Sequence, residues 1–304
     1  MLLDKSKFEI LGAFDAEAEK INRPAITFWK DAWRRLKKNP VAMLSLGFLI
    51  LVILACVIGP YLAPHKFDTQ DYKLLDKAPF GNYWFGTDNV GRDLFARTLI
   101  GGRVSLIIGF IGTAVELVFG CIYGGISGYF GGIVDTIMMR VLEIFATVPY
   151  LIVVILLLIV LPPGIGTLIL ALVITGWMTI ARLIRGQVMQ LKTSEYVMAA
   201  KALGASPTRI ISKHLIPNTI GVIIVYVSMD VPGYIFDEAY LSFLGLGIQP
   251  PNTSWGALVF AGQGAMTNHP HELIFPAVAI SLTILAFNLL GDGLRDALDP
   301  KLRQ

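Results

Sequence analysis

Four stretches of this sequence are too long and too apolar to be typical of a soluble fold. Residues 41–59, 144–181 and 273–291 contain no Asp, Glu, Lys or Arg, and residues 104–134 contain only Glu116. A helix crosses the ~30 Å core of a bilayer in about 20 apolar residues, so each stretch is long enough to span it. The stretches are continuous rather than alternating, which favours helices over a barrel. The sequence therefore predicts an all-α integral membrane protein.

Six transmembrane helices are predicted once the longest apolar stretch is divided. Its residues 162–166, Pro-Pro-Gly-Ile-Gly, cannot continue a helix and predict a tight hairpin. The first span follows the polar residues 1–40, so we expect an anchor that stays in the membrane and not a removed signal sequence. The predicted spans are residues 41–62, 103–127, 136–161, 167–185, 216–237 and 272–292.

Lysine and arginine set the predicted orientation, because cytoplasmic segments of membrane proteins are enriched in them. With the N terminus inside, 19 of the 25 basic residues are cytoplasmic and the other 6 lie in residues 61–103 on the external side. We therefore expect both termini in the cytoplasm. The predicted organisation is a cytoplasmic segment 1–40, a first helix 41–62, an external loop 63–102, a five-helix core 103–292 with a cytoplasmic loop at 193–215, and a cytoplasmic tail 293–304.

Two segments outside the spans have distinctive compositions. Residues 24–39 combine Trp29 and Trp33 with five Lys or Arg, which predicts an interfacial helix on the anionic inner leaflet of the lipid bilayer. Residues 239–271 contain no Asp, Glu, Lys or Arg and are rich in Gly, Pro, Asn and Trp. An uncharged external segment of this length is expected either to pack against protein or to dip back into the membrane.

The cytoplasmic loop between the fourth and fifth spans predicts two short helices around a sharp corner. Thr193 or Ser194 can cap a helix that runs to Leu203, and Gly204 suits the left-handed position beyond its end. Ser206 followed by Pro207 is typical of an N-cap and a first-turn proline. Small residues around the corner allow another surface to approach closely. Such an elbow on an apolar protein predicts a docking site for a partner.

This elbow resembles the signature cytoplasmic loop of ABC importer permeases. The pattern of that family is Glu-Ala-Ala, three residues, Gly, nine residues, Ile, one residue and Leu-Pro. Ala199, Ala200, Gly204 and Pro217 match at the family spacing, whereas Met198, His214 and Ile216 replace its Glu, Ile and Leu. The segments 85–106, 241–256 and 288–300 also resemble peptide-importer permeases. The resemblance covers residues 29–304 and is closest to the second permease subunit of oligopeptide and dipeptide importers, a group that includes nickel and glutathione importers.

The resemblance implies an architecture, a location and a set of partners. It implies the six-helix architecture of a type I ABC importer permease in the bacterial inner membrane, carrying oligopeptides, with dipeptides, glutathione or nickel as alternative substrates. It also implies a heterodimer with a second permease, two ATPase subunits that bind ATP and Mg, and an extracytoplasmic substrate-binding protein. The residues implied to couple to the ATPases are Ala199, Ala200, Leu203, Gly204, Ala205 and Pro217.

The residues themselves indicate no catalysis in this chain. It has no G-x-x-x-x-G-K-[ST] phosphate-binding loop and no convincing Ser-His-Asp or Cys-His set, so we expect no cofactor and no enzymatic step here. The near-neutral net charge of +3 gives no indication of a nucleic-acid partner. His269 and His271 are a weak metal pair without a third ligand.

Acidic residues inside the spans are the remaining functional candidates, because charge in a membrane is costly and is usually retained for a purpose. Asp230 is expected either to line the passage or to make an interhelical contact, and Glu116 has no partner identifiable from the sequence. Both are candidate pathway residues, and they keep a proton-coupled secondary transporter open as an alternative function. Glu143 is expected to pair with Arg140, while Arg182 and Arg185 are expected to anchor the inner leaflet.

Glycines 120, 124, 128 and 132 predict one small-residue face, because they recur every four residues. Such a face is expected to be a helix-packing seam. Its alternative role is the moving interface between two permeases.

The charge distribution generates a direct test of orientation. A cysteine at Asn82 should react with a membrane-impermeant thiol reagent in intact cells, whereas a cysteine at Ser206 should react only after the cells are opened. The parent chain is the control, because it carries Cys56 and Cys121. The opposite labelling pattern would overturn the proposed orientation.

Overall fold

The computed structural model describes residues 27–299, in which all regular elements are helical. The beginning of the predicted cytoplasmic segment and the end of the predicted tail lie outside these residues. The helices are α1 (Phe28–Leu36), α2 (Pro40–Leu62), α3 (Leu94–Phe130), α4 (Gly132–Thr147), α5 (Tyr150–Val160), α6 (Ile165–Leu191), α7 (Glu195–Ala202), α8 (Pro207–Ile210), α9 (Ile220–Phe243), α10 (Trp255–Gln263) and α11 (His271–Leu298).

Five helical segments of the described residues are long and apolar enough to cross a membrane, and the third predicted span is broken. Residues 136–161 were predicted to form one helix, but α4 and α5 meet at an angle of 77°. The break falls at Pro149, which cannot donate a backbone hydrogen bond and pushes Val148 into an extended conformation. The prediction of a single continuous span is therefore wrong at this position.

Helix α3 begins earlier than predicted and has 37 residues. Its N-cap is Asp93, whose side chain accepts a hydrogen bond from the backbone N–H of Phe95 at 2.9 Å. The first turns of α3 accommodate the charged residue Arg97, because its buried side chain forms an ion pair with Asp88 at 3.5 Å. The extra turns carry α3 out of the apolar stretch and into the preceding loop.

The predicted glycine face is a packing seam between α3 and α6 of this chain. A Cβ atom on Gly120 would lie 2.1 Å from the Ile180 side chain, and one on Gly124 would lie 2.3 Å from the Ala181 carbonyl oxygen. A Cβ on Gly128 would lie 2.8 Å from the carbonyl oxygen of Arg185. Gly132 does not belong to the seam, since it starts α4 with a φ of +53° and faces open space.

Helix α2 packs on α3 and α11 and carries Pro60 inside it. Because a proline has no N–H, the carbonyl of Cys56 loses its usual helical partner. Arg103 on α3 supplies the replacement: its Nε donates to the Cys56 carbonyl at 3.1 Å, and its terminal nitrogen donates to the Val57 carbonyl at 2.9 Å. This pair of hydrogen bonds joins the first span to the helical core.

Helix α1 is present in the segment predicted to be interfacial. Its buried residues Ala32 and Leu36 face the protein, and Leu36 packs with Ala42 and Ala297. Trp29 and Trp33 remain about half exposed. Contact of these two side chains with the inner leaflet stays a prediction.

The uncharged segment 239–271 packs against its own chain. Helix α10 inserts between α3, α9 and α11, and Trp255 is buried with its Nε1 donating to the Thr98 carbonyl at 2.8 Å. The absence of side chains at Gly101 and Gly102 allows this approach, since Cβ atoms there would lie 2.9 Å from Ser254 and 2.5 Å from Trp255. Of the two sequence alternatives, the structure shows packing against protein.

Candidate functional site

The elbow has the local geometry that its sequence predicts. Helix α7 ends at Ala202, and Gly204 adopts a φ of +81°, which a residue without a side chain reaches freely. Ser206 caps α8, with its hydroxyl accepting from the Arg209 N–H at 3.4 Å, and Pro207 occupies the first turn. The chain then continues through one π-helical turn, Ile211–Leu215, and one 3-10 turn, Ile216–Thr219, into α9.

One face of the elbow is fixed to the membrane domain. Val197, Ile210 and Leu215 are buried in a cluster that they share with the α6 side chains Ile180, Ile184 and Val188. Lys192, just beyond α6, donates to the Gly128 carbonyl at 2.8 Å and ties this end of α6 to α3. The elbow is therefore a rigid extension of α6 rather than a free loop.

The opposite face of the elbow is exposed and carries two large apolar side chains beside the charged Glu195 and Lys201. Leu203 is 87% exposed and Met198 is 54% exposed, although both are large hydrophobic residues. A Cβ on Gly204 would meet no atom within 4 Å, so this corner projects away from the chain. Exposed apolar residues on a fixed support are typical of a docking surface for protein.

The predicted coupling residues do not all lie at this corner. Ala199, Leu203 and Gly204 are exposed, and Ala200 and Ala205 are partly exposed. Pro217 is exposed but lies in the 3-10 turn that leads into α9, away from the α7–α8 corner. A cleft of about 380 Å³ lies beside the elbow and is lined by residues that include Tyr129, Phe130, Met198 and Lys201.

Glu116 is buried at the contact between α3 and α9, and the structure supplies the partners that the sequence left open. Its two carboxylate oxygens accept hydrogen bonds from the Tyr226 hydroxyl at 2.5 Å and the Tyr234 hydroxyl at 2.7 Å. A Cβ on Gly176 of α6 would lie 2.7 Å from the Glu116 carboxylate. Glycine at position 176 thus leaves room for a carboxylate enclosed by three helices.

Asp230 makes the interhelical contact that was one of its two sequence alternatives. The Thr113 hydroxyl of α3 donates to its carboxylate at 2.9 Å. Asp230 nevertheless remains partly exposed, at the edge of the face of α9 on which Met229, Phe236 and Tyr240 are open. An ionisable side chain on the open face of a membrane helix is stable only beside water or other protein.

Glu238 on α9 is completely buried. Its carboxylate accepts hydrogen bonds from the hydroxyls of Ser105 at 2.9 Å, Ser242 at 2.7 Å and Ser254 at 2.6 Å. These serines belong to α3, α9 and the N-cap of α10. The only local signal in the sequence is Ser242, one helical turn after Glu238; the other two partners are distant in the chain.

Asp135 and Arg185 form a second contact that the sequence reasoning missed. The guanidinium of Arg185 on α6 donates two hydrogen bonds to the Asp135 carboxylate on α4, and the Ser127 hydroxyl donates a third. Arg185 was predicted to be an anchor in the inner leaflet, but it holds α4 against α6. Asp135 lies in the first turn of α4, close behind Gly131 and Gly132, so no preceding helical periodicity indicates its direction.

The structure also places the Arg140–Glu143 pair and the two external histidines. Arg140 pairs with Glu143 at 2.8 Å, which confirms the local ion pair. His271 contacts the Thr87 carbonyl at 3.4 Å through Nε2 and lies 6.2 Å from the ring of His269. In residues 27–299, no group of three or more His, Cys, Asp or Glu is arranged to hold a metal ion.

Comparison with known proteins gives two family matches. The model described as a binding-protein-dependent transport system inner membrane component matches residues 117–304. The model described as the N-terminal transmembrane domain of oligopeptide transport permease C matches residues 27–79. Together they include the elbow and most of the helices described above.

Similar curated proteins match along nearly the whole chain. The dipeptide transport system permease protein DppC of Bacillus subtilis (strain 168) is 50% identical over 95% of this chain and 90% of its own length. The oligopeptide transport system permease protein OppC of the same organism is 46% identical over 99% of both chains. The glutathione transport system permease protein GsiD of Escherichia coli O6:K15:H31 is 39% identical over 91% of this chain and 92% of its own.

Among solved structures, a chain of the MetNI methionine ABC transporter in inward-facing conformations has the same fold. The TM-score is 0.53 at 17% sequence identity, and the match covers 67% of this chain and 96% of that chain. This similarity supports the type I ABC importer permease architecture predicted from the sequence.

The buried Glu238 cluster generates a stability prediction. Glu238→Ala would remove the acceptor of three hydroxyls and leave a cavity, so we expect a loss of unfolding free energy on the order of 3 kcal/mol. Glu238→Gln keeps the volume and one acceptor oxygen and should cost less. Thermal unfolding of the purified full chain measures both, with exposed Glu143→Gln as the control. Equal melting temperatures for Glu238→Ala and the control would contradict the structural role of the cluster.

Proposed function

Because this chain belongs to the family of binding-protein-dependent transport system inner membrane components, which are permeases of ABC importers, we propose that it forms half of a translocation pathway for oligopeptides. Permease subunits of this family are not enzymes, and separate ATPase subunits hydrolyse ATP. Family membership therefore displaces the proton-coupled secondary transporter as the alternative function. What remains to be proposed is the substrate, the set of partners, the orientation and the residues that couple to ATP hydrolysis.

The proposed complex contains four kinds of subunit. This chain pairs with a different permease, two ATPase subunits bind ATP and Mg below them, and an extracytoplasmic binding protein delivers the substrate. Both termini and the elbow lie in the cytoplasm of this proposed arrangement, which agrees with the division of basic residues. The N-terminal helix α1 then lies at the inner leaflet.

The exposed apolar corner of the elbow is the observation that carries the proposal. Leu203 and Met198 stand out from a segment whose other face is buried against α6. Leu203 is 87% exposed, so a partner that covers it is bound more favourably. Burial of apolar surface contributes about 25 cal/mol per Å². The rigid connection to α6 allows movement of the docked partner to reach the membrane helices.

Met198 occupies the position of the family glutamate, which changes the chemistry proposed for docking. A methionine cannot form an ion pair with the ATPase, but its flexible thioether adapts to an apolar groove. We therefore propose that docking in this chain depends on apolar contacts of Met198 and Leu203 around the Gly204 corner.

The proposed passage includes the open face of α9. Asp230 lies partly exposed at the edge of this face, and Glu116 is buried against α9 and accepts from the Tyr226 hydroxyl. Asp230 would meet water or substrate directly, whereas Glu116 would set the position of the tyrosines. Both assignments belong to the proposal.

Oligopeptides are the proposed cargo because an oligopeptide permease relative aligns with this chain over the larger share of both lengths. The oligopeptide permease relative aligns over 99% of both chains, whereas the dipeptide permease relative has the higher identity of 50%. Identity alone therefore does not separate peptide lengths, and transport has to be measured. Dipeptides, glutathione and nickel are the competing cargoes.

The elbow hypothesis predicts separable effects on assembly and on transport. Gly204→Asp should weaken co-purification of the ATPases or uncouple hydrolysis from uptake, because it strains a positive-φ position by about 1 kcal/mol and adds charge at the corner. Ala200→Glu should act similarly, and Leu203→Ala should weaken docking by removing the exposed anchor. All three sites lie outside the apolar core, so membrane insertion should be normal.

The matched control for these variants is Lys201→Gln on the same helix, which removes a charge but no apolar contact. ATPase co-purification and ATP-dependent uptake are measured on all four variants and the parent. Parent-like values for both Gly204→Asp and Leu203→Ala would show that the elbow is not the coupling element.

The cargo prediction is tested with the assembled importer in proteoliposomes. Tetrapeptides should be taken up in an ATP-dependent manner and should compete better than dipeptides, glutathione or nickel. Asp230→Asn should reduce uptake more than ATP hydrolysis, because it alters the passage and not the docking surface. Preferential uptake of one of the other cargoes would replace the oligopeptide assignment without affecting the family.

A further inference from the structure

A groove runs between α2 and α3 toward the C-terminal end of α2. It is a cleft of about 410 Å³, and its apolar lining includes Ile53, Val57, Phe110 and Ile111. The side chains of Val57, Phe110 and Ile111 are 50%, 43% and 47% exposed, so this α2–α3 groove opens away from the helical core. Because both helices are apolar enough to span a membrane, the opening faces the hydrocarbon region and is covered there by lipid or by another protein.

One end of the α2–α3 groove is cationic. A second cleft, of about 370 Å³, continues it toward the loop after α2, and the two clefts share Tyr61 and Arg103. Lys66 and Asp68 also line the second cleft. In residues 27–299, neither Lys66 nor Arg103 forms an ion pair, and the side chain of Arg103 donates only to backbone carbonyls. Two cations and one carboxylate therefore leave this end with a net charge of +1.

Arg103 has hydrogen-bonding capacity left for a ligand. The carbonyls of Cys56 and Val57 accept from two of its N–H groups, and a guanidinium has more donors than these carbonyls use. A neutral amide could also donate to a carbonyl, so the structural contact alone does not account for the charge. The Arg103 Cζ lies 5.4 Å from the ring centroid of Tyr61, which is 80% exposed. Tyrosine and arginine together are typical of the boundary between hydrocarbon and lipid headgroups.

The length of the α2–α3 groove matches one leaflet of a bilayer. From Ile53 to Tyr61 α2 advances by eight residues, and from Arg103 to Ile111 α3 advances by the same number in the opposite direction. At 1.5 Å per residue this is about 12 Å along each helix. One leaflet contributes about half of the ~30 Å hydrocarbon core. An acyl chain in the groove therefore stays within one leaflet, with its polar end at Arg103.

We propose that the α2–α3 groove binds an anionic phospholipid, with the phosphate at Arg103 and Lys66 and one acyl chain along Val57 and Phe110. Hydrogen bonds between a guanidinium and a phosphate are strong because both groups are charged. A zwitterionic lipid carries its own ammonium group and supplies no net charge to balance the cationic end. The orientation proposed above places this lipid in the outer leaflet. The site itself rests on the membrane location of the chain and not on its cargo.

Native mass spectrometry of the purified full chain tests the preference for charge. Phosphatidylglycerol and phosphatidylcholine with the same acyl chains are titrated separately. In the parent, we expect at least about fivefold tighter binding of phosphatidylglycerol, since one cation near the membrane surface contributes about this factor. Lys66→Gln removes an exposed side chain from the cationic end and should weaken phosphatidylglycerol binding about fivefold, with phosphatidylcholine unchanged. Arg103→Gln should weaken it at least as much.

The matched control is Lys73→Gln, because Lys73 is an exposed lysine of the same loop that does not line the groove. It should bind both lipids as the parent does. Equal affinities of the parent for the two lipids would overturn the proposal, even if Arg103→Gln failed to fold. Equal losses in Lys66→Gln and Lys73→Gln would overturn it as well, since the preference would then come from general surface charge.

Two further arms identify the occupant. Ile107 lines the groove and is 37% exposed, so Ile107→Trp should fill the groove and weaken phosphatidylglycerol binding at least about fivefold while both cations remain. Millimolar inorganic phosphate should not displace the lipid, and displacement would show a site for a free anion instead. A photoreactive benzoyl-phenylalanine at position 107 of the assembled importer in membranes should give a phospholipid adduct. A protein adduct, or none, would overturn the lipid assignment, whereas the transport assignment would stand because it rests on the family.

Discussion

The close approach of α3 and α6 is the contact on which the rest of the structure depends. Three glycines of α3 admit the backbone of α6 to distances that a methyl group would prevent, as the position of a Cβ on Gly124 shows. Close packing of this kind replaces the hydrophobic effect as the main attraction between helices in lipid. Because the elbow is seated on α6, its position relative to the membrane core is set by the same three glycines.

Carboxylates inside the bundle impose a second constraint, which the chain meets with hydroxyl groups. Tyrosines enclose Glu116, serines enclose Glu238, and a threonine donates to Asp230. Each of these acids accepts from at least one residue outside its own helix, so every acid ties helices together. Hydroxyl donors satisfy the acid without adding charge to the membrane interior, where charge is costly.

Much of the architecture was predictable from local sequence. The length of the apolar stretches predicted the spans. Gly204, Ser206 and Pro207 predicted the elbow, because each of these residues acts on its own local backbone. The break at Pro149 was missed, since the surrounding residues remain apolar and hydropathy does not register a bend. The partners of Glu238 and Asp135 were missed because they lie up to 133 residues away along the chain.

The break at Pro149 also bears on how the chain enters the membrane during synthesis. Helix α5 has 11 residues, a length of about 17 Å at 1.5 Å per residue, which is well short of a ~30 Å hydrocarbon core. Alone it is a poor insertion signal for the translocation machinery. The Pro-Pro-Gly turn joins it directly to α6, which at 27 residues is long enough to span the bilayer by itself. These lengths favour entry of the two helices as a pair during synthesis, with the shorter α5 carried into the bilayer by the longer α6.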